Sequence, residues 1–214
     1  MKNLEYREFY RRNLPHIQPR GATFLVNFRL VGSLPIEVAE RLSAEAEHLE
    51  KKLLTITDRK EKQLLRDRDQ RKLFPKWEDE LHKSQTGPFW LQDERIAEIV
   101  ADSILYHDGD WFDVLAYCIL PNHVHLVLIP YESSDIADYS LTKIMHNIKR
   151  NSANHANKVL GRTGAFWQHE NYDHFARDEK ELERIIKYVL HNPVEAGLTD
   201  DWSKWKWSYC KHEM

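Results

Sequence analysis

The tightest constraint on this chain is local. Two apolar runs, Phe112–Leu120 and His123–Ile129, are separated only by Pro121 and Asn122. Strands joined by so short a turn must be antiparallel neighbours, because a parallel pair needs a crossover of a dozen residues or more. The remaining elements have to fit around that hairpin. Ala22–Leu30 (ATFLVNFRL) is rich in β-branched and aromatic residues and reads as a further strand, and Tyr172–Ala176 as a short one. Ser33-Leu34-Pro35 offers a cap and an early proline for a helix starting near Ile36. Ile96, Ile99, Val100 and Ile104 recur at helical spacing, as do Leu141, Ile144, Met145 and Ile148 in a longer helix that ends by Gly161. Asp178 is placed to cap a last helix carrying Leu182, Ile185, Ile186 and Val189. Pro193 predicts that this helix stops at Asn192, since the residue before a proline is pushed out of the helical region. The order strand, helix, hairpin, helix, strand, helix predicts an α+β fold with helices packed on an antiparallel sheet.

A length of 214 residues suits one domain spanning 1–214. Within it the sequence predicts an irregular basic arm over 1–21, a charged helical insertion at about 49–86 and a Trp-rich tail over 200–214 that caps the core. In the insertion, Leu49–Leu73 reads as helix and Lys76–Gly87 as a surface excursion punctuated by Gly87-Pro88. Seven Trp, nine Tyr and eight Phe supply a real core, while two Cys and seven Gly exclude a disulfide scaffold, a multi-cysteine zinc site and a collagen repeat. The most apolar stretch, Trp111–Pro130, carries Asp113, Pro121, His123 and His125, which is incompatible with a bilayer-spanning helix. Met1–Arg7 lacks the apolar run of a secretion signal. The expectation is a cytoplasmic protein with no membrane partner.

The net charge is −3, but its distribution is uneven. No acidic residue occurs from Tyr139 to His169, a stretch holding Lys143, Lys149, Arg150, Lys158 and Arg162; the sign then reverses from Glu170 to Glu183. A basic face can therefore coexist with a near-neutral total.

Two pairs of residues carry chemistry. Side chains alternate across a strand, so His123 and His125 leave the same face while Val124, Leu126 and Leu128 point into the core. Two imidazoles so placed are a natural pair of ligands for a divalent metal. Tyr188 and Asn192 are four residues apart and share a helical face. A phenol, a neutral amide oxygen and two imidazoles would suit cleavage of a phosphodiester: a hard cation such as Mg²⁺ or Mn²⁺ polarises it, and the phenolate attacks phosphorus. At a free pKa near 10 the tyrosine needs that help.

The string Tyr117–Leu128 (YCILPNHVHLVL) resembles the HUH motif of single-tyrosine HUH transposases, U being a hydrophobic residue. Further matches are similar to the REP-associated tyrosine transposase branch. They are Arg12–His16, Gly87-Pro88 with Trp90-Leu91, Phe166–Gln168 followed by Tyr172-Asp173, Tyr188 with His191–Val194, and Trp205–Ser208, together covering roughly residues 11–208. The resemblance implies a ferredoxin-like antiparallel core, His123 and His125 as metal ligands, Asn192 in place of the family's amide-bearing third ligand, and Tyr188 as nucleophile. It implies Mg²⁺ or Mn²⁺ as cofactor and single-stranded DNA, often an imperfect hairpin from palindromic repeats, as partner. Cleavage would leave a 5′-phosphotyrosine link and a free 3′-hydroxyl able to rejoin strands. Under this reading Lys149, Arg150, Lys158 and Arg162 contact phosphates, and Arg11, Arg12 and Arg20 reach a hairpin stem or flanking base. Trp167 and Phe166 either stack on unpaired bases or pack in the core.

Several bland or rival roles stay open at this level. Tyr172 is the competing nucleophile, His191 a ligand only if the last helical turn unwinds, and Cys118 a small core residue. So do two rival functions: a domesticated hairpin-binding protein without strand transfer, and a metal phosphodiesterase using water. The sequence leaves monomer and homodimer equally open.

Overall fold

The computed structural model describes residues 6–11, 15–19, 21–84, 86–131 and 140–211. The chain opens with β1 (Tyr6–Arg11) and β2 (Pro15–Pro19), an antiparallel ribbon where the sequence suggested an irregular arm. Both prolines lie at the ends of β2, where a strand tolerates a missing N–H donor. Strand β3 (Phe24–Arg29) is followed by two long helices, α1 (Ile36–Leu54) and α2 (Arg59–Lys83), and after a 3-10 turn at Trp90–Gln92 by α3 (Glu94–Leu105). Then come β4 (Phe112–Ile119), β5 (His123–Pro130), α4 (Leu141–Val159), β6 (Tyr172–Phe175), α5 (Glu179–Glu195) and, after a second 3-10 turn, β7 (Ser208–Cys210).

The expected hairpin is the spine of a five-stranded antiparallel sheet in the order β6-β3-β5-β4-β7. The α+β expectation is therefore borne out, with helices on an antiparallel sheet. One face of the sheet buries Val26, Phe28, Leu126 and Leu128 against Ile96, Val100 and Ile104 of α3 and Ile144 and Ile148 of α4. The other buries Leu25, Ala116, Cys118 and Val127 against Ile185 and Val189 of α5. A bulge between Val114 and Ala116 makes this possible. The extra residue shifts the parity of β4, so Phe112 and Val114 share the first face with Tyr117 and Ile119 rather than with Ala116 and Cys118.

Four local readings change. The stretch Lys76–Gly87 is no surface excursion up to Lys83: α2 runs unbroken through Pro75 and buries Leu73, Glu78 and Leu81. The proline and the dense charge hide a helix that is capped by Asp58, paired to α1 by Arg41–Glu80 and Lys76–Glu45, and packed by its inward residues. Helix α5 likewise continues past Asn192 through Pro193 to Glu195. It ends where Gly197, at φ 68°, adopts the left-handed conformation, with the Gly197 N–H donating to the Val194 carbonyl and the Leu198 N–H to the Pro193 carbonyl. These two hydrogen bonds satisfy carbonyls of the last turn, and they outweigh the conformational bias before a proline. The Trp-rich tail contributes an edge strand as well as a cap: β7 pairs with β4, and Trp205 Nε1 donates to the Ile119 carbonyl at 3.0 Å. Ser33 does not cap α1; its hydroxyl accepts from Arg29 at 3.1 Å. Asp178 does cap α5, accepting from the Glu181 N–H at 2.8 Å.

Among the described residues no helix is long and apolar enough to cross a membrane.

Candidate metal and tyrosine site

The parity of β5 puts His123 and His125 on the same face as Val127, the face covered by α5. Both imidazoles are fully buried. In the register of β3 against β5, Asn27 lies opposite His125 and Arg29 opposite His123, so β3 continues the polar floor. The His123 and His125 Nε2 atoms converge to 3.1 Å. The turn residue Asn122 explains part of that convergence: His123 Nδ1–H donates to Asn122 Oδ1 at 2.6 Å, which turns the Nε2 lone pair outward. Asn122 in turn donates through Nδ2 to the Leu81 carbonyl of α2 at 3.1 Å, tying the turn to that helix.

Helix α5 brings Tyr188 and Asn192 over this floor. The Tyr188 ring stands edge-on to the His125 ring with centroids 5.5 Å apart. Asn192 is fully buried and its Nδ2 donates to the Tyr188 carbonyl at 3.0 Å. Its Oδ1, like His125 Nδ1, has no hydrogen-bond partner among the described residues. The two imidazoles and the phenol picked out by sequence pattern thus meet in space, and Asn192 is buried one turn of α5 beyond Tyr188.

A fifth group joins them that the sequence did not announce. Glu78 of α2 is buried, and its Oε2 lies 3.0 Å from His125 Nε2 and 3.7 Å from His123 Nε2. The Tyr188 hydroxyl donates to the same oxygen at 2.8 Å, and Asn27 Nδ2 donates to Oε1. The only hint in the sequence is spacing: Phe74, Glu78 and His82 fall at i, i+4 and i+8, so an acid occupies the inward stripe of the helix. His82 follows it in, its ring 5.6 Å from that of His123.

Charge in this cluster is set by burial and by the neighbours. Burial pulls the His123 imidazole down to about 3, which keeps it a neutral lone-pair donor. Burial would raise the Glu78 carboxyl, but His125, then His123, and the Tyr188 hydroxyl overcome it and hold the group down to about 2. Tyr188 moves the other way: burial, the Glu78 charge and the hydrogen bond to it all push the phenol well above its ordinary value. The donor set fits a small divalent cation, with two converging imidazoles, an orphaned buried amide oxygen and a carboxylate; ligand atoms of Glu78, His123 and His125 lie within 4.8 Å of one another.

The other sequence-selected residues are placed as follows. Tyr172 is stacked on Phe74 with centroids 4.3 Å apart, and it is Tyr188 whose hydroxyl reaches the cluster. His191 is exposed, with Nδ1 at 3.1 Å from the Lys187 carbonyl. Phe166 and Trp167 are buried, and Trp167 Nε1 donates to Ser152 at 2.9 Å, which corrects the base-stacking option for both. Burial pushes the Cys118 thiol up to about 12, as suits a core residue. Of the basic residues on α4 and beyond, Lys149 donates to the Gln168 and His169 carbonyls at 2.7 and 2.9 Å. Arg162 donates to Asn157 and to the Ala165 carbonyl and lies 4.0 Å over the Trp90 ring. Both fasten the segment after α4. Arg150 and Lys158 are exposed. A groove of about 560 Å³, with Lys143, His146, Lys149, Arg150 and His169 on its walls, runs along α4. Arg11 ends β1, while Arg12 and Arg20 lie outside the described residues.

Residues 91–192 match the family model of IS200-like transposases. That stretch contains His123, His125, Tyr188 and Asn192 and begins beyond Glu78. The chain is 30% identical over 103 residues to a candidate REP-associated tyrosine transposase of Haemophilus influenzae. The match takes in 45% of this chain and spans 58% of that relative's length. In fold the chain is similar to a solved REP-associated tyrosine transposase bound to a REP hairpin, with a TM-score of 0.51 and 17% identity over 94% of this chain and 82% of that one. The family resemblance drawn from the motifs is borne out.

Proposed function

We propose that this chain is a REP-associated tyrosine transposase that cleaves and rejoins single-stranded, hairpin-containing DNA through Tyr188, with His123, His125 and Asn192 holding a Mg²⁺ or Mn²⁺ ion. The observation that carries the reading is the meeting of β5 and α5: two buried, converging imidazoles lie against the ring of half-buried Tyr188, with buried Asn192 one helical turn away. The family match over 91–192 supports a transposase, and the hairpin bound by the solved relative supports the substrate class.

In cleavage the Tyr188 oxygen bonds to phosphorus and the P–O3′ bond breaks. The phenol proton is shed to water, and the departing 3′ oxygen takes one up to become a hydroxyl. The 5′-phosphotyrosine keeps the energy of the phosphodiester, so a later 3′-hydroxyl can reverse the step on a new strand. Burial and Glu78 hold the Tyr188 phenol protonated, so the chain's own residues do not activate it. A cation held by His123, His125 and Asn192 would supply that missing positive charge and polarise the phosphodiester. Neutral His123, fixed by Asn122, presents Nε2 for this purpose. Arg150 and Lys158, both exposed on α4, meet phosphates in this reading, and Arg11, Arg12 and Arg20 keep the stem-side role.

A labelled single-stranded DNA hairpin incubated with the protein and Mn²⁺ should yield a covalent protein–DNA adduct on a denaturing gel, absent in Tyr188→Phe. Cleavage without an adduct would move the assignment to a water-using phosphodiesterase. A mobility shift without cleavage would move it to a domesticated hairpin-binding protein. His123→Ala should abolish cleavage while leaving hairpin binding largely intact.

A further inference from the structure

The helical pair α1–α2 lies wholly before the stretch matched by the family model, yet it delivers a carboxylate to the centre of the site. We propose that Glu78 is a direct ligand of the cation, so that the inserted helical pair completes the metal site together with His123 and His125. This rests on the metal-dependent reading above and assigns one of its ligands.

Three lines carry it. The first is geometry. His123 Nε2, His125 Nε2 and Glu78 Oε2 form a triangle with sides of 3.1, 3.0 and 3.7 Å. Its corners lie about 1.9 Å from their common centre, close to the roughly 2.0–2.2 Å typical of nitrogen and carboxylate bonds to small divalent cations. The second is the energetics of burial. A carboxylate on the inward stripe of a helix is costly to bury unless charge of opposite sign meets it. A divalent cation would supply that charge for an acid set against two imidazoles. The third is support around the ligand. Asn27, opposite His125 in the sheet, donates to Oε1 and aims Oε2 at the imidazoles. Asn122 fixes His123 and anchors to the Leu81 carbonyl, three residues after Glu78 on the same helix. The polar contacts that orient both ligands therefore cross between sheet and insertion, the outer-shell arrangement typical of metal centres.

Ligation by Oε2 also takes over the atom that accepts the Tyr188 hydroxyl bond. The carboxylate that tethers the nucleophile in the present arrangement would release it once the cation is bound.

The test is Mn²⁺ titration of the full-length protein without DNA, following loss of the free-ion electron paramagnetic resonance signal. Wild type should bind one Mn²⁺ per chain, Glu78→Gln should bind at least about tenfold more weakly, and His123→Ala should bind weakly as well. If His123→Ala loses Mn²⁺ and Glu78→Gln keeps wild-type affinity, Glu78 is an ion-pair partner of His125 and the inference falls while the metal-dependent reading stands. If wild type itself fails to bind, the metal-dependent reading falls first. Circular dichroism checks that Glu78→Gln is folded. Should it not fold, Glu78→Asp decides: the shortened arm must weaken Mn²⁺ binding, and unchanged affinity overturns the assignment.

Discussion

At the scale of single residues the site is built from local rules. Alternation along β5 places His123 and His125 together, and the i, i+4 relation places Tyr188 above Asn192, so these four could be read from the sequence. Glu78 could not, because its partners lie far away in the chain: Tyr188 is 110 residues distant. Glu181, by contrast, has its partners close in sequence: it accepts from the Arg177 N–H at 3.1 Å and from His174 Nε2 at 3.2 Å. Burial works to raise this carboxyl, but the backbone bond, then His174, prevail and its pKa is lowered. A depressed carboxyl adds stability above its unfolded pKa, about 4.3, and loses it as pH falls through the folded value. Melting temperatures measured from pH 6 down to pH 3 should therefore fall more for wild type than for Glu181→Gln; parallel curves would show that Glu181 adds nothing.

At the scale of elements, turn and cap geometry decides where helices stop, and composition misleads. Pro193 reads as a terminator, yet the terminator is Gly197, whose positive φ permits the paired bonds to Val194 and Pro193. Gly197→Ala should cost about 1 kcal/mol in chemical denaturation, from forcing a Cβ into the left-handed region. Gly87 is more demanding. At φ 108° a Cβ there would sit 2.5 Å from the Gly32 carbonyl oxygen. Gly87→Ala should cost more than Gly197→Ala, above about 2 kcal/mol, because backbone must move as well as strain. Equal losses would mean that the Gly32–Gly87 contact relaxes freely. Strand β7 escaped the sequence reading for a related reason: three residues without alternation carry no periodic signal, and only the open edge of β4 makes them a strand.

At the scale of the whole molecule, the near-neutral total conceals a run of cations along α4 and just after it, and these cations are not equivalent. Lys149 and Arg162 are engaged with the carbonyls of the segment that follows, whereas Arg150 and Lys158 are exposed. Replacing Arg150 and Lys158 together by Ala should weaken hairpin binding and flatten the dependence of log affinity on log salt by about 0.7–0.9 per phosphate contact removed. An unchanged slope would place the DNA elsewhere. Lys149→Ala should show mainly as lower thermal stability. By itself, the sequence determined whatever follows from neighbours along the chain: the β4–β5 hairpin, the helical stripes, and which reactive side chains share a face, because periodicity and short turns leave few alternatives. Only the tertiary structure decided which faces meet. The contact of α2 with the open end of β5 depends on packing between segments tens of residues apart, and no local pattern encodes it. That contact turns a charged helix into the wall that carries Glu78 to the histidines and the tyrosine.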